Sequence, residues 1–230
     1  MTVHRFPERT DADRYCQTLK AVAAGTELAV PAVVGDFDEW LVTARPGGVS
    51  AELIDRHPDP DDLVAAVGRA LAALHDAAGE PAAASHAEPA GWDLVVDRCH
   101  QAVDRGLVRV DQLPDPYARY QPAELLELLV SGRPDPAGDA EHLVWCHGHP
   151  SVDRFLVDGG RPVGMDGFEW SLVADRHLDL AVTHQSVQAA FGPEAVFRFY
   201  DAYGRDPDLA RLEHHVLAGH LLAGLTGSSW

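Results

Sequence analysis

Val144-Trp-Cys-His-Gly-His-Pro-Ser-Val-Asp-Arg-Phe-Leu-Val157 decides how this chain folds. It opens on an apolar strand end, passes through a polar loop around His147-Gly148-His149, and re-enters an apolar strand at Phe155. Asp158-Gly-Gly160 follows, residue types that favour tight turns, and Pro162-Val-Gly164 supplies the return arm of a hairpin.

Working outward, the upstream half alternates between short strands and helical spacing. Residues 11–24 place Tyr15, Leu19 and Val22 on one helical face, with Gly25 as a stop. The apolar runs 29–34 and 40–44, joined through 35–39, read as two short strands. Pro60-Asp-Asp62 opens a helix that lines up Leu63, Val67, Leu71 and Leu74. The Ala/Pro/Gly-rich stretch 77–91 reads as a loop, with helices expected at 92–105 and 122–131 and a turn-rich segment at 131–138. Beyond the hairpin, helices are expected at about 177–190, 193–203 and 208–224. Few strands followed by a long helical part, with a hairpin-bearing loop in its middle, make an α+β two-lobe plan. Residues 1–45 form the small lobe, a helix plus short strands, and 46–230 the large helical one.

Composition narrows the function classes. The chain has 230 residues, 46% of them hydrophobic, enough for one large core or a small lobe packed on a larger one. Thirty-six acidic against 18 basic residues give a net charge of −18, which excludes nucleic acid or an anionic membrane surface as the expected partner. Cys16, Cys99 and Cys146 are scattered and odd in number, so reduced thiols and a cytoplasmic location are expected. No signal-peptide core and no spanning apolar run is apparent.

The loop is similar to the one small-molecule kinases use, in which an apolar strand end leads into His-Gly-Asp, four residues, Asn, and another strand. The likeness extends along the chain. Residues 39–48 (Glu-Trp-Leu-Val-Thr-Ala-Arg-Pro-Gly-Gly) resemble a hinge strand with its Gly turn, and 105–113 with 122–126 a helical insert. Residues 142–148 resemble the catalytic strand, 173–181 (Val-Ala-Asp-Arg-His-Leu-Asp-Leu-Ala) the segment after the metal loop, and 199–208 the final helices. On these grounds the chain resembles the aminoglycoside 3′-phosphotransferases over about residues 11–222. The resemblance implies a protein-kinase-like fold with a truncated N-terminal β lobe and a large helical C-terminal lobe.

It also implies a set of chemical positions, and here the chain departs from the pattern. Phosphoryl transfer needs a Gly-rich loop and a Lys on the phosphates, carboxylate-held metal ions, and a carboxylate that orients the acceptor hydroxyl. The first glycine is Gly25, after the first helix, and the one lysine, Lys20, lies inside that helix. Arg5 falls near the missing lysine's place and Gln17 near its glutamate partner. His149 stands for the catalytic Asp, Arg154 for the metal-binding Asn, and Gly167 for the metal-binding Asp. Asp153, Asp166 and Glu169 are the fallback carboxylates, Asp166 and Glu169 for a metal. Thr43 and Arg45 mark where a nucleotide would meet the hinge. The acidic pair that serves polycationic acceptors aligns with Gly219 and His220. His147 and Asp179 match scaffold positions, fixing the loop by hydrogen bonds.

His149, Asp153, Arg154 and Asp166 are therefore the candidate catalytic set of a chain expected to lack normal kinase activity. It would instead bind a small molecule, a peptide or a protein partner in the cleft, with no cofactor. Two other functions stay open. One is an ATP- and Mg²⁺-dependent phosphotransferase with a variant site, in which His149 acts as base. The other is a repurposed lyase or cyclase acting on an antibiotic or peptide precursor. A transition-metal set of Cys146, His147, His149 and His177 matches no compact zinc spacing, and Cys146 reads as core.

Overall fold

The computed structural model of the chain describes residues 1–6, 9–38, 40–51, 60–77, 91–134 and 143–226. Glu39, nearly all of the 77–91 loop, the second half of the 131–138 segment and the final tail to Trp230 lie outside the described residues. The chain starts with a strand the sequence reading omits. β1 (Thr2–Arg5), α1 (Arg9–Gly25), β2 (Ala32–Phe37) and β3 (Trp40–Ala44) come first, and the strands form an antiparallel sheet in the order β1-β3-β2. His4, Leu41 and Thr43 are buried, whereas Val3, Phe37 and Trp40 are exposed. The His4 ring lies 5.3 Å from Tyr15, so the buried side of the sheet faces α1.

The second strand begins at Ala32 rather than at 29, and Pro31 is the reason. Proline has no N–H for a ladder, and the segment before it pairs elsewhere. Ala29 N–H donates to Val163 O at 2.9 Å, and its carbonyl accepts from Met165 N–H at 3.0 Å. This parallel bridge ties the small sheet's entry to the hairpin.

β4 (Val49–Ser50) leads to α2 (Pro60–His75), α3 (Gly91–Asp104) and α4 (Pro122–Ser131). The Glu124 carboxylate accepts from the Gln121 N–H at 2.7 Å, half of a capping box at the start of α4. β5 (Leu143–Cys146), β6 (Phe155–Asp158), β7 (Arg161–Met165) and β8 (Leu172–Asp175) follow, then α5 (His177–Phe191), α6 (Ala195–Tyr203) and α7 (Leu209–Thr226). β4, β6 and β7 form one antiparallel sheet, and β5 pairs with β8 in another. The α+β character expected from the pattern is thus the architecture observed.

Two hydrophobic clusters hold these elements. One gathers Tyr15, Leu41, Leu63, Leu71, Phe155, Met165, Phe168 and Phe199, the other Val95, Cys99, Leu125, Leu129, Val144, Cys146, Leu172 and Leu221. In the first, α2 and α6 cross so closely at Gly68 that an added Cβ would stand 2.5 Å from Phe199 O and 2.9 Å from Ala202 Cβ. Burial also reaches the histidines: His147, His149, His214 and His215 are all covered, and desolvation lowers each one's pKa, for His149 and His214 to about 4.

Gly68→Ala should lower stability by about 1–3 kcal/mol through overpacking, the reverse of the usual helical preference for Ala; chemical denaturation checks the sign. Asp179→Ala should cost about 1–3 kcal/mol for each of the two buried N–H groups it leaves unpaired, those of His147 and Gly148. The histidines set an acid limit. From their ordinary value of 6.5 down to about 4, the unfolded chain binds protons that folded His149 and His214 refuse. Stability therefore falls as pH falls through that window, and the melting temperature at pH 5 should lie below that at pH 7.

Candidate functional site

The loop that follows β5 is fixed from both ends by its own scaffold. Asp179, fully buried on α5, accepts from His147 N–H at 2.7 Å and Gly148 N–H at 2.8 Å, and its Oδ2 also lies 3.2 Å from His75 Nε2. Gly148 has φ +85, and a Cβ there would stand 2.1 Å from Trp170 O, so glycine is required on two counts. His147 Nε2 reaches the Asp166 carbonyl at 2.8 Å, which makes it the donor, and Nδ1 then accepts from His149 N–H at 3.3 Å. Thr183 and Ser186 of α5 complete the frame, the first donating to Pro150 O at 3.0 Å and the second accepting from Val152 N–H at 2.8 Å. His147 and Asp179 thus occupy the scaffold positions the resemblance implies.

Arg154 and Gly167 face one another. Gly167 is left-handed, with φ 84 and ψ 40, and its Cβ direction points at the Arg154 guanidinium, 3.0 Å from both Cδ and Nη1. The hairpin of β6 and β7 creates this meeting, and the Asp166 N–H to Arg154 carbonyl bond at 2.9 Å anchors it. Position 167, not 166, is therefore the one that looks onto position 154. A divalent cation between them would find a guanidinium and a bare Cα, neither of which offers an oxygen ligand.

The fallback carboxylates are each engaged elsewhere. Asp166 Oδ2 holds Arg45 Nε at 2.9 Å, while Oδ1 accepts from Gly167 N–H at 2.9 Å. Glu169 Oε1 lies 2.9 Å from His4 Nδ1. Burial alone would raise the pKa of Glu169, but the His4 hydrogen bond, a backbone hydrogen bond and the nearby His4 and His147 together hold the carboxyl below the usual range. Asp153 accepts from the Ser151 hydroxyl and meets Arg154 Nε at 3.4 Å. Thr43 is buried with its hydroxyl 2.8 Å from His4 Nε2, and Arg45 reaches across to Asp166.

His149, Arg154 and Glu169 line one cavity of about 190 Å³ with Gly167 and Trp170. Desolvation, then His147 and Arg154, hold His149 neutral near pH 7, so it can exchange a proton without carrying charge at rest. Asp153, Asp166, Thr43 and Arg45 are not among the lining residues. His4 is the residue the sequence reading missed. It is the inward residue of β1, clamped between Thr43 and Glu169, whereas Arg5, placed earlier near the missing lysine, is exposed over the Trp40 ring at 5.4 Å. The alternation of Val3, His4 and Arg5 was the only available signal, and a histidine on the apolar face masks it. Gln17 and Lys20 are exposed on α1. Gly219 and His220 are buried in α7, with the His220 ring 5.8 Å from Tyr117. The four residues of the transition-metal alternative diverge: Cys146 Sγ turns to the Ala174 and Asp175 carbonyls, and His177 to Asp175 and Asp208.

Comparison with known proteins matches this geometry to a family. The sequence model of the phosphotransferase enzyme family matches residues 1–215. The chain is 32% identical over 244 aligned positions to the streptomycin 3″-kinase of Streptomyces griseus, covering 90% of this chain and 84% of that protein. Among solved structures, the type VIII aminoglycoside-3′-phosphotransferase is similar with a TM-score of 0.74 and 23% identity, over 96% of this chain and 83% of that one. The Streptomyces rimosus APH(3″)-Id, solved with ADP and streptomycin, gives 0.72 and 19% over 96% and 85%. Those last two likenesses concern the fold, and together with the sequence matches they lead to one conclusion: the chain belongs to the phosphotransferase enzyme family, as an aminoglycoside-phosphotransferase-like member with a kinase-like fold.

Proposed function

We propose that this chain no longer performs metal-dependent phosphoryl transfer, and that it uses its cleft to hold a small molecule, a peptide or a protein partner. The observation that carries this reading is the Arg154 guanidinium beside Gly167. It puts a fixed positive charge where a kinase-like site needs oxygen ligands for Mg²⁺. The other losses point the same way. The inward residue of β1 is His4, tied to Thr43 and Glu169. Neither Asp166 nor Glu169 is uncommitted, since each already holds a basic partner.

The competing reading is a phosphotransferase that keeps His149 as base. A neutral imidazole lining the cavity favours it. Loss of a placed carboxylate base typically costs roughly 10²–10⁴ in rate, and the metal would still lack ligands. The streptomycin 3″-kinase of S. griseus and the ADP- and streptomycin-bound S. rimosus protein supply the probes for choosing between the two.

Titration calorimetry with ATP or GTP in Mg²⁺ should show no magnesium-dependent heat. Incubation with ATP, Mg²⁺ and streptomycin should release no ADP above a protein-free control. Micromolar, Mg²⁺-dependent nucleotide binding, or streptomycin-dependent ADP release that His149→Ala abolishes, would overturn the proposal.

A further inference from the structure

We infer that Arg154 stands in for the metal ion, so that the cleft binds a ligand bearing phosphate or a comparable multiply charged oxyanion with no divalent cation. This inference rests on the reading above that metal-dependent transfer is lost. What it adds is the class of ligand and the group that would hold it.

The guanidinium supplies the charge and the shape. Arg154 Nε is turned to Asp153 at 3.4 Å, and Nη1 lies 3.0 Å from where a Gly167 Cβ would be, on the side of the cavity that both residues line. Its side chain is 36% exposed, so a ligand can reach it. A planar guanidinium fork matches the spacing of oxyanion oxygens and carries its charge at every relevant pH. The absent side chain at Gly167 leaves that fork uncovered: an aspartate there would neutralise it, and glycine does not.

The surroundings permit an anion despite the chain's net charge of −18. Glu169 is the acidic residue that lines the cavity, and His4 holds it at 2.9 Å. Asp166 is paired with Arg45 at 2.9 Å, and Asp153 takes the Ser151 hydroxyl on one oxygen and faces only the Nε edge of Arg154, at 3.4 Å, with the other. His149 contributes a neutral ring that neither repels nor demands an anion. At about 190 Å³ the cavity exceeds by more than tenfold the roughly 10–15 Å³ that one water needs. A phosphate-sized group with part of its carrier therefore fits.

Calorimetry on the full chain with sodium pyrophosphate and, separately, with ATP, both in EDTA, tests the inference. At least one should bind, the affinity should not rise when Mg²⁺ replaces EDTA, and it should weaken with salt. Pyrophosphate alone binding identifies a bare phosphate chain as sufficient, and ATP alone binding shows that the nucleoside contributes; either result supports the inference. Arg154→Gln should weaken the interaction at least tenfold, about 1.4 kcal/mol. Gly167→Asp should do the same while keeping the arginine in the sequence, because its Cβ, 3.0 Å from Arg154 Cδ and Nη1, shifts that side chain and sets a carboxylate against the guanidinium, at a left-handed position that Asp enters more readily than most residues. The two variants fail to fold for different reasons if they fail at all, so circular dichroism leaves one of them to decide. No binding of either anion in EDTA, or binding that survives both substitutions, overturns this inference and leaves the loss of metal-dependent transfer standing. Binding that requires Mg²⁺ overturns that earlier reading as well.

Discussion

The buried carboxylate of Asp179 is the contact on which the site depends. Two successive N–H groups, of His147 and Gly148, have no strand partner at the turn after β5, and each would be left bare without it. Because the acceptor sits on α5, the turn is positioned by a helix rather than by its own local preferences. The turn's other features are set beside that carboxylate: the left-handed Gly148 under Trp170 O and the His147 ring bonded to the Asp166 carbonyl. The frame serves backbone hydrogen bonding, so it persists whether or not the chemistry it once framed does.

This division explains what was legible from the residues alone. Leu63, Val67, Leu71 and Leu74 repeat at helical spacing and are all buried in α2, because a one-sided core imposes that period. The hairpin of β6 and β7 was marked by its Gly-rich turn; its register sets 166 opposite 154, and only the left-handed turn at Gly167 brings that position onto the Arg154 side chain. The same kind of local reading failed where burial was compensated at long range. β1 has one buried residue, His4, and a polar residue breaks the alternation that identifies a strand; its partners, Thr43 and Glu169, are 39 and 165 positions away. The shift of β2 was visible only once Pro31 was weighed against the apolar run around it.

Within the site, the identities of the replaced residues could be read, and their new commitments could not. Asp166 and Glu169 looked like spare carboxylates in sequence. In three dimensions each has a partner from a separate part of the chain, Asp166 the Arg45 guanidinium and Glu169 the His4 ring. Exposed or half-exposed ion pairs contribute little stability, about 0–1 kcal/mol. Their larger effect is to fix where negative charge points. The site is thus also an arrangement of charge, with Arg154 facing the cavity.

The two hydrophobic clusters have a mechanical consequence. Val144 and Cys146 of β5 belong to one cluster, while Val152 and Phe155 belong to the other. The segment 147–151 therefore runs from one cluster to the other, and Asp179 lies between Leu178 of one and Leu180 of the other. Close-packed interiors transmit displacement rather than absorbing it. Two of the segment's five residues, His147 and Gly148, have their amides bonded to Asp179, so the segment is held where the two clusters meet. Repacking either cluster therefore moves one border of the loop on which the site is built.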